Sequence, residues 1–137
     1  MPRRRFYQGV LAVLSVIPLL AITQVFALGT GRELDDAVID PGLDHQFRYL
    51  GGVYLAILLL IWWSIPNIER ARSALGVACA AVFLGGVGRG VAILDVGAEP
   101  TISVVFFVLE VAIVPALLLS YRRDVDRATA TPDRRPA

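Results

Sequence analysis

Three charged side chains, Arg48, Arg89 and Glu110, lie inside or at the ends of long apolar stretches. A charge in hydrocarbon is costly, so such residues usually face one another, a bound ligand or a water-filled cavity. Arginine presents five N–H donors in a planar fork, which suits carboxylate and other oxygen acceptors. The chemistry that these residues can support is ion pairing between helices, or the binding of an anionic or carbonyl-bearing ligand.

The apolar stretches are long enough to cross a membrane. Hydrophobic residues make up 56% of the 137-residue chain and charged residues 18%, whereas a soluble domain has about 25% charged residues. A crossing helix needs about 20 mainly apolar residues, and four stretches have about that length: residues 6–28, 47–65, 68–94 and 101–121. The sequence predicts an all-α fold, an integral membrane four-helix bundle with antiparallel helices, in one domain of residues 1–123.

Proline and polar residues mark the expected helix boundaries. Pro18 lies in the first stretch and cannot bond to the carbonyl of Leu14, which predicts a kink there. Asp40 followed by Pro41 fits a helix start that runs on into the second stretch. Asn67 is the expected N-cap of the third helix. A competing interpretation of the first stretch is a cleaved signal peptide, but its apolar region is longer than the usual 7–15 residues.

The arginines are distributed unevenly between the two sides of the predicted bundle. All basic residues are Arg, and only Arg32 falls clearly in the loops of one side. The positive-inside rule places the opposite side, with both termini, in the cytoplasm. We therefore expect a multi-pass protein of the cell inner membrane with a disordered cytoplasmic tail at residues 124–137. The arginines assigned to the cytoplasmic side are Arg3, Arg4, Arg5, Arg70, Arg72, Arg122, Arg123, Arg127, Arg134 and Arg135.

The helical rise gives an approximate depth for each polar group inside the spans. Gln24 lies about 6 Å, Arg89 about 7–8 Å and Glu110 about 12 Å from the outer surface. Arg48 lies at that surface, one helical turn after Asp44. Because an Arg side chain can span the difference in depth between Arg89 and Glu110, we expect these two to pair. Arg48 and Asp44 are expected to close this polar core toward water.

Glycines share a helix face with both arginines, at spacings of three and four residues. Small residues let helix backbones approach closely in lipid. Both arginines are therefore expected to point into the bundle at close helix crossings. The glycines expected to pack there are Gly51, Gly52, Gly85, Gly86 and Gly88.

The sequence contains no recognisable reaction or cofactor motif. Cys79 is the only cysteine and so cannot form an intramolecular disulfide. His45 is the only histidine, and beside Asp44 it is interpreted as solvated rather than as part of a metal site. The HExxH, GxSxG and paired-carboxylate patterns are absent. We assign no catalytic residue, favour a non-enzyme, and expect no metal, no cofactor and no nucleic-acid partner.

Several short stretches resemble a known family. They are LDHQFRYL at residues 43–50, VFLGGVGR at residues 82–89, Gly97, and Leu109-Glu110 with Pro115. With the hydropathy layout, they make the chain similar to the bacterial family of small four-helix membrane proteins known as domain of unknown function 4345. The resemblance runs from the first helix to about Arg123. It implies a four-span bundle but no activity, and the family-type positions are Asp44, Arg48, Arg89 and Glu110.

The chain departs from the family pattern with Gly52-Val53-Tyr54, where bulkier apolar residues are frequent.

Three functions stay open. The first is a non-enzymatic module that binds a lipid or hydrophobic metabolite, or serves as an accessory to a larger complex. The second is a transporter or channel component that works as a homo-oligomer, because four helices leave little room for a pore. The third is an enzyme acting on a lipid-like substrate, although no second acid–base group accompanies Glu110. All three have the lipid bilayer as partner. The Arg89–Glu110 pair is either a ligand site or a structural lock.

Overall fold

Four apolar helices make up almost all of the described chain. The computed structural model describes residues 3–29, 41–97 and 102–130. Within these ranges there is no strand, and four helices are long and apolar enough to cross a membrane. The expected all-α, four-helix membrane fold is thereby confirmed. The spans are Arg4–Leu28, Pro41–Ser64, Arg72–Asp95 and Ile102–Ala130.

Large apolar side chains cover the outside of the bundle. Leu94 is 86% exposed, Val13 71% and Leu84 66%. A water-soluble protein of this size would bury such side chains, whereas lipid accommodates them as readily as another helix does. The pattern fits a multi-pass membrane protein.

The first span consists of α1 (Arg4–Leu14) and α2 (Val16–Leu28), separated at Ser15. The interruption follows Leu14, where Pro18 was expected to disturb the helix, because a proline ring excludes the carbonyl four residues before it. The Ser15 hydroxyl donates to the carbonyl of Ala12 at 2.7 Å and accepts from the Trp62 indole nitrogen at 2.9 Å. The break is therefore fastened to the second span.

The second and third spans are α3 (Pro41–Ser64) and α4 (Arg72–Val96). Helix α3 is described from Pro41 onward, and the predicted N-cap Asp40 lies outside the described residues. The prediction for Asn67 is wrong, because α4 begins at Arg72 and not after Asn67. The Asn67 side chain instead donates to the carbonyl of Trp63 at 2.9 Å and so satisfies the end of α3.

The fourth span is α5 (Ile102–Val108), a π-helical turn (Leu109–Ile113) and α6 (Val114–Ala130). In the π turn, the Val114 N–H donates to the carbonyl of Leu109, five residues earlier. Pro115 follows directly and has no N–H to donate, so the wider turn accommodates its ring. Helix α6 continues through residues 124–130, which the sequence analysis assigned to a disordered tail. Residues 131–137 lie outside the described chain.

The buried core lies at one end of the bundle, which we call the tyrosine end. Tyr7 of α1 and Tyr121 of α6 are each 1% exposed, and their rings meet edge to face at 5.7 Å. The Tyr7 hydroxyl donates to the Asp124 carboxylate at 2.9 Å, and the Tyr121 hydroxyl donates to the carbonyl of Ile68. These contacts explain why α6 continues past residue 123, because Asp124 accepts the Tyr7 hydroxyl and so ties this part of α6 to α1.

At the opposite end, which we call the arginine end, glycines set the helix spacing. A β-carbon added at Gly51 would lie 3.0 Å from Val25 Cγ1 of α2, and one at Gly85 would lie 3.2 Å from the Tyr54 hydroxyl of α3. A β-carbon at Gly86 would lie 2.7 Å from Glu110 Cβ. All three of these glycines therefore stand at close crossings.

Two other glycines do not pack as expected. A β-carbon at Gly52 or Gly88 would meet no atom within 4 Å among the described residues. Neighbouring helix positions are rotated by about 100°, so a residue next to a packed glycine can already point outward. Conversely, Gly90 was overlooked, and a β-carbon there would lie 2.7 Å from the Phe107 ring. A glycine pattern in the sequence thus indicated a close crossing without fixing which glycine makes it.

Candidate functional site

Arg89 of α4 and Glu110 of the π turn form an interhelical pair near the arginine end. The Arg89 Nε–H donates to Glu110 Oε2 at 3.0 Å and an Nη2–H donates to Oε1 at 3.2 Å. Their side chains are 33% and 19% exposed. The structure therefore brings together the two charges that their depths suggested, in a two-pronged geometry that arginine forms and lysine does not.

The surrounding backbone explains how this pair forms. Gly86 lies one turn before Arg89, and its missing side chain lets the fourth span come close enough for Glu110 to reach α4. The ring centroid of Phe106 lies 5.5 Å from the Arg89 guanidinium carbon, which is within cation–π range. Phe106 and Glu110 therefore hold the guanidinium from the same span.

Asp44 and Arg48 form a separate pair at the start of α3. The Arg48 Nε–H donates to Asp44 Oδ2 at 2.8 Å, and an Nη1–H donates to the carbonyl of Phe26 at 2.6 Å. Phe26 belongs to the last turn of α2, where carbonyl groups lack helical partners and a positive charge is favoured. Arg48 therefore caps α2.

Gly29, just after α2, completes this cap. Its φ angle is +54°, a conformation that an L side chain rarely adopts. A β-carbon there would also overlap the Asp44 carboxylate and lie 2.8 Å from Arg48 Nη2. Glycine at this position allows the end of α2 to lie directly against the Asp44–Arg48 pair.

A half-open cavity of about 360 Å³ lies between the helices of the bundle. All four spans contribute to its wall, which is mostly aliphatic and aromatic. Arg89 and Glu110 line it, whereas Gln24, Asp44 and Arg48 do not. The wall residues contributed by α3 are Phe47, Leu50, Gly51, Tyr54, Ile57, Leu58 and Ile61.

The residues of the expected polar core lie in two separate places in the structure. The cavity-facing positions of α3 follow Phe47 and Gly51, so Arg48 lies beside this face and over the end of α2. Gln24 of α2 is exposed and lies outside the cavity wall. Arg48 and Asp44 therefore do not line the cavity, and among the described residues the charged side chains that line it are Arg89 and Glu110.

Two polar groups of the cavity wall were missed by the sequence analysis. Tyr54 lines the cavity from α3, and its hydroxyl has no hydrogen-bond partner among the described residues. Ser15 lines it from the break in the first span and accepts the Trp62 indole. The signal for Tyr54 was its place in the Gly52-Val53-Tyr54 departure from the family pattern, and the signal for Ser15 was its place before Pro18.

No metal centre is evident in the part of the chain that the structure describes. No three His, Cys, Asp or Glu side chains there come together as ligands. His45 is exposed on α3, and Cys79 is buried at the cavity wall as a free thiol.

Comparison with known proteins gives one match. No curated protein and no solved structure matches this chain. Residues 6–121 match the family described as domain of unknown function (DUF4345). This match includes most of each of the four spans, with both residues of the Arg89–Glu110 pair and the break at Ser15. The chain therefore belongs to the DUF4345 family.

Proposed function

We propose that the protein is a non-enzymatic membrane module that binds a lipid-like or hydrophobic small molecule inside its helix bundle. The observation that carries the proposal is the cavity of about 360 Å³ that is lined by all four spans. Ligand sites typically have volumes of about 300–1,000 Å³, apolar walls and a few placed polar groups. The volume suits a single acyl-type chain better than a whole two-chain phospholipid.

The position of the charged pair supports this proposal. An apolar cavity between packed helices can stay empty. Charged side chains inside a membrane are costly and usually functional, so a charged pair beside such a cavity indicates a binding role. A pair that served only as a lock would be most stable in tight packing, away from empty space. Arg89 and Glu110 instead line the cavity, where they can contact a ligand.

Photo-crosslinking with a single-chain fatty acyl probe that carries a diazirine tests the proposal. The purified chain in lipid nanodiscs is irradiated with the probe, and the labelled peptides are mapped by mass spectrometry. Labelling is expected at cavity-lining positions such as Ile57 and Leu109. Ala21→Phe, which adds a ring at the cavity wall, should reduce that labelling. Ala80→Phe is the matched control, because Ala80 is exposed, as Ala21 is, but lies outside the cavity wall.

Labelling confined to the bundle exterior would contradict ligand binding in the cavity. Equal labelling of the cavity positions in the two alanine variants would contradict it as well, because only Ala21→Phe narrows the cavity.

We also propose that the chain is inserted in the cell inner membrane with antiparallel spans and both termini in the cytoplasm. The uneven distribution of arginines supports this orientation. Reporter fusions after Gly29, Asn67, Ala98 and the last residue test it, with cytoplasmic signals expected only at Asn67 and the C-terminus. A cytoplasmic signal at Gly29, or an N-terminus cleaved after Ala27, would contradict the four-span arrangement in the cell.

A further inference from the structure

The cavity wall carries hydrogen-bonding capacity that the protein does not use. Arg89 has five N–H donors, and two of them are bonded to Glu110. Among the described residues, the other three have no partner. About a third of the side chain is accessible, and the residue lines the cavity. The guanidinium is thus fixed by Glu110 and Phe106 while part of it can still reach a bound molecule.

The Tyr54 hydroxyl is the second unused group. It lies beside Gly85, at 3.2 Å from where a β-carbon of that residue would be. Gly85 precedes Arg89 by four residues, so the two lie on one face of α4, about 6 Å apart along the helix axis. The hydroxyl therefore lies against the face of α4 that carries Arg89.

The charge of the site selects the kind of head group. Glu110 already compensates the Arg89 cation at hydrogen-bond distance, so the pair carries no net charge. An anion entering the cavity would lose its hydration and would also meet the Glu110 carboxylate. A neutral carbonyl loses much less hydration and can accept the free N–H groups of Arg89.

From these features we propose that the cavity selects an uncharged single-chain amphiphile whose head carries a carbonyl and a second oxygen. Arg89 donates to the carbonyl, Tyr54 bonds to the second oxygen, and the chain extends along the apolar wall toward the tyrosine end. This inference rests on the proposed function, since it names the class of ligand for the same cavity.

Trp62 provides a reporter within the native structure. Its indole donates to Ser15, which lines the cavity. The chain has two tryptophans, so Trp63→Phe leaves Trp62 as the only fluorophore. Hydrocarbon chains that carry bromine quench tryptophan fluorescence at short range. Saturable quenching at a low mole fraction of the probe in nanodiscs therefore measures occupancy of the cavity.

Three brominated probes with the same chain length distinguish the alternatives: a monoacylglycerol, an alkyl sulfonate and an alkane. The sulfonate is anionic at any working pH. We expect the monoacylglycerol to bind at least about 10-fold more tightly than the sulfonate. Tyr54→Phe should weaken monoacylglycerol binding by about 2–10-fold, the range for one lost hydrogen bond, and should leave alkane binding unchanged.

Removing the compensating charge supplies the decisive comparison. Glu110→Gln keeps a side chain that can accept from Arg89 but leaves the guanidinium cation without its counter-charge. The sulfonate should then gain at least about 10-fold in affinity, while the monoacylglycerol changes little. Tyr54→Phe removes no hydrogen bond seen among the described residues. It therefore tests the head-group selection while the Arg89–Glu110 pair stays intact.

The outcomes separate this inference from the proposed function. Saturable quenching by the sulfonate or the alkane that equals or exceeds quenching by the monoacylglycerol overturns the head-group selection and leaves the cavity as a ligand site. An absence of saturable quenching by all three probes overturns both. Unchanged monoacylglycerol binding in Tyr54→Phe overturns the assigned role of Tyr54.

Discussion

The close approach of α4 to the fourth span makes a sharp prediction for Gly86→Ala. The new β-carbon would lie 2.7 Å from Glu110 Cβ and 2.8 Å from Val111 Cγ2. Carbon atoms pack best at about 3.5–4.0 Å, so both contacts are too short by about 0.7 Å or more. Glu110 Cβ is fixed to its backbone, and a valine in a helix strongly prefers one rotamer. The two helices must therefore move apart.

The expected cost follows from two opposing effects. Overpacking of this kind costs about 1–3 kcal/mol, while alanine is better than glycine inside a helix by about 1 kcal/mol. Gly88→Ala gains the same helix preference, and its β-carbon meets nothing within 4 Å. Because both variants gain the same helix preference, it cancels when their free energies of unfolding are compared. Gly86→Ala should therefore be less stable than Gly88→Ala by about 1–3 kcal/mol.

Unfolding in mixed micelles by added sodium dodecyl sulfate, followed by circular dichroism, measures both variants against the unmodified chain. Gly88→Ala should be as stable as the unmodified chain or more stable. Equal free energies of unfolding for the two variants would refute the close crossing at Gly86, and with it the explanation of how Glu110 reaches Arg89.

Three further predictions concern the polar contacts, each checked by the same unfolding assay unless stated. Arg89→Ala and Glu110→Ala should each cost up to about 3–5 kcal/mol, because one charge loses its partner, and the double variant should cost less than the sum; additive costs would show that the two are not coupled. Arg48→Gln should cost about 0.3–2 kcal/mol and speed hydrogen exchange in the last turn of α2; exchange that is unchanged there would contradict the capping role. Tyr7→Phe should lower the free energy of unfolding by about 1.5–3 kcal/mol, because the Tyr7 hydroxyl donates to a carboxylate. Tyr54→Phe should change it by no more than about 0.5 kcal/mol. Equal costs would contradict the assignment of a partner to only one of the two hydroxyls.

The broad fold was predictable because lipid imposes simple rules on a sequence. Every backbone polar group must be satisfied inside the membrane, so long apolar stretches are helices. The break in the first span was also readable, since Pro18 acts on a known position of its own helix. These features depend on chain-local chemistry, which a sequence displays directly.

The helix ends were less predictable, because tertiary contacts decide them. Asn67 has the side chain of an N-cap, yet it bonds backward to α3. Helix α6 extends past residue 123 because Asp124 accepts the Tyr7 hydroxyl from a span far away in the chain. The π turn is explained by Pro115, a local feature. The contact that the turn allows, between Glu110 and Gly86 of another helix, is not shown by any local pattern.

Arg48 and Arg89 show why the candidate site was only partly predictable. Both lie among glycines near the same end of the bundle, and both pair with a carboxylate. Helix rotation separates their roles, because Arg48 lies over the carbonyl groups that end α2 while Arg89 lines the cavity. An arginine whose partner lies one turn away on its own helix can form that pair without any neighbouring span. The Arg89–Glu110 pair needs a glycine on one helix and a π turn on another, so its presence beside an apolar cavity requires the whole bundle to be arranged around it.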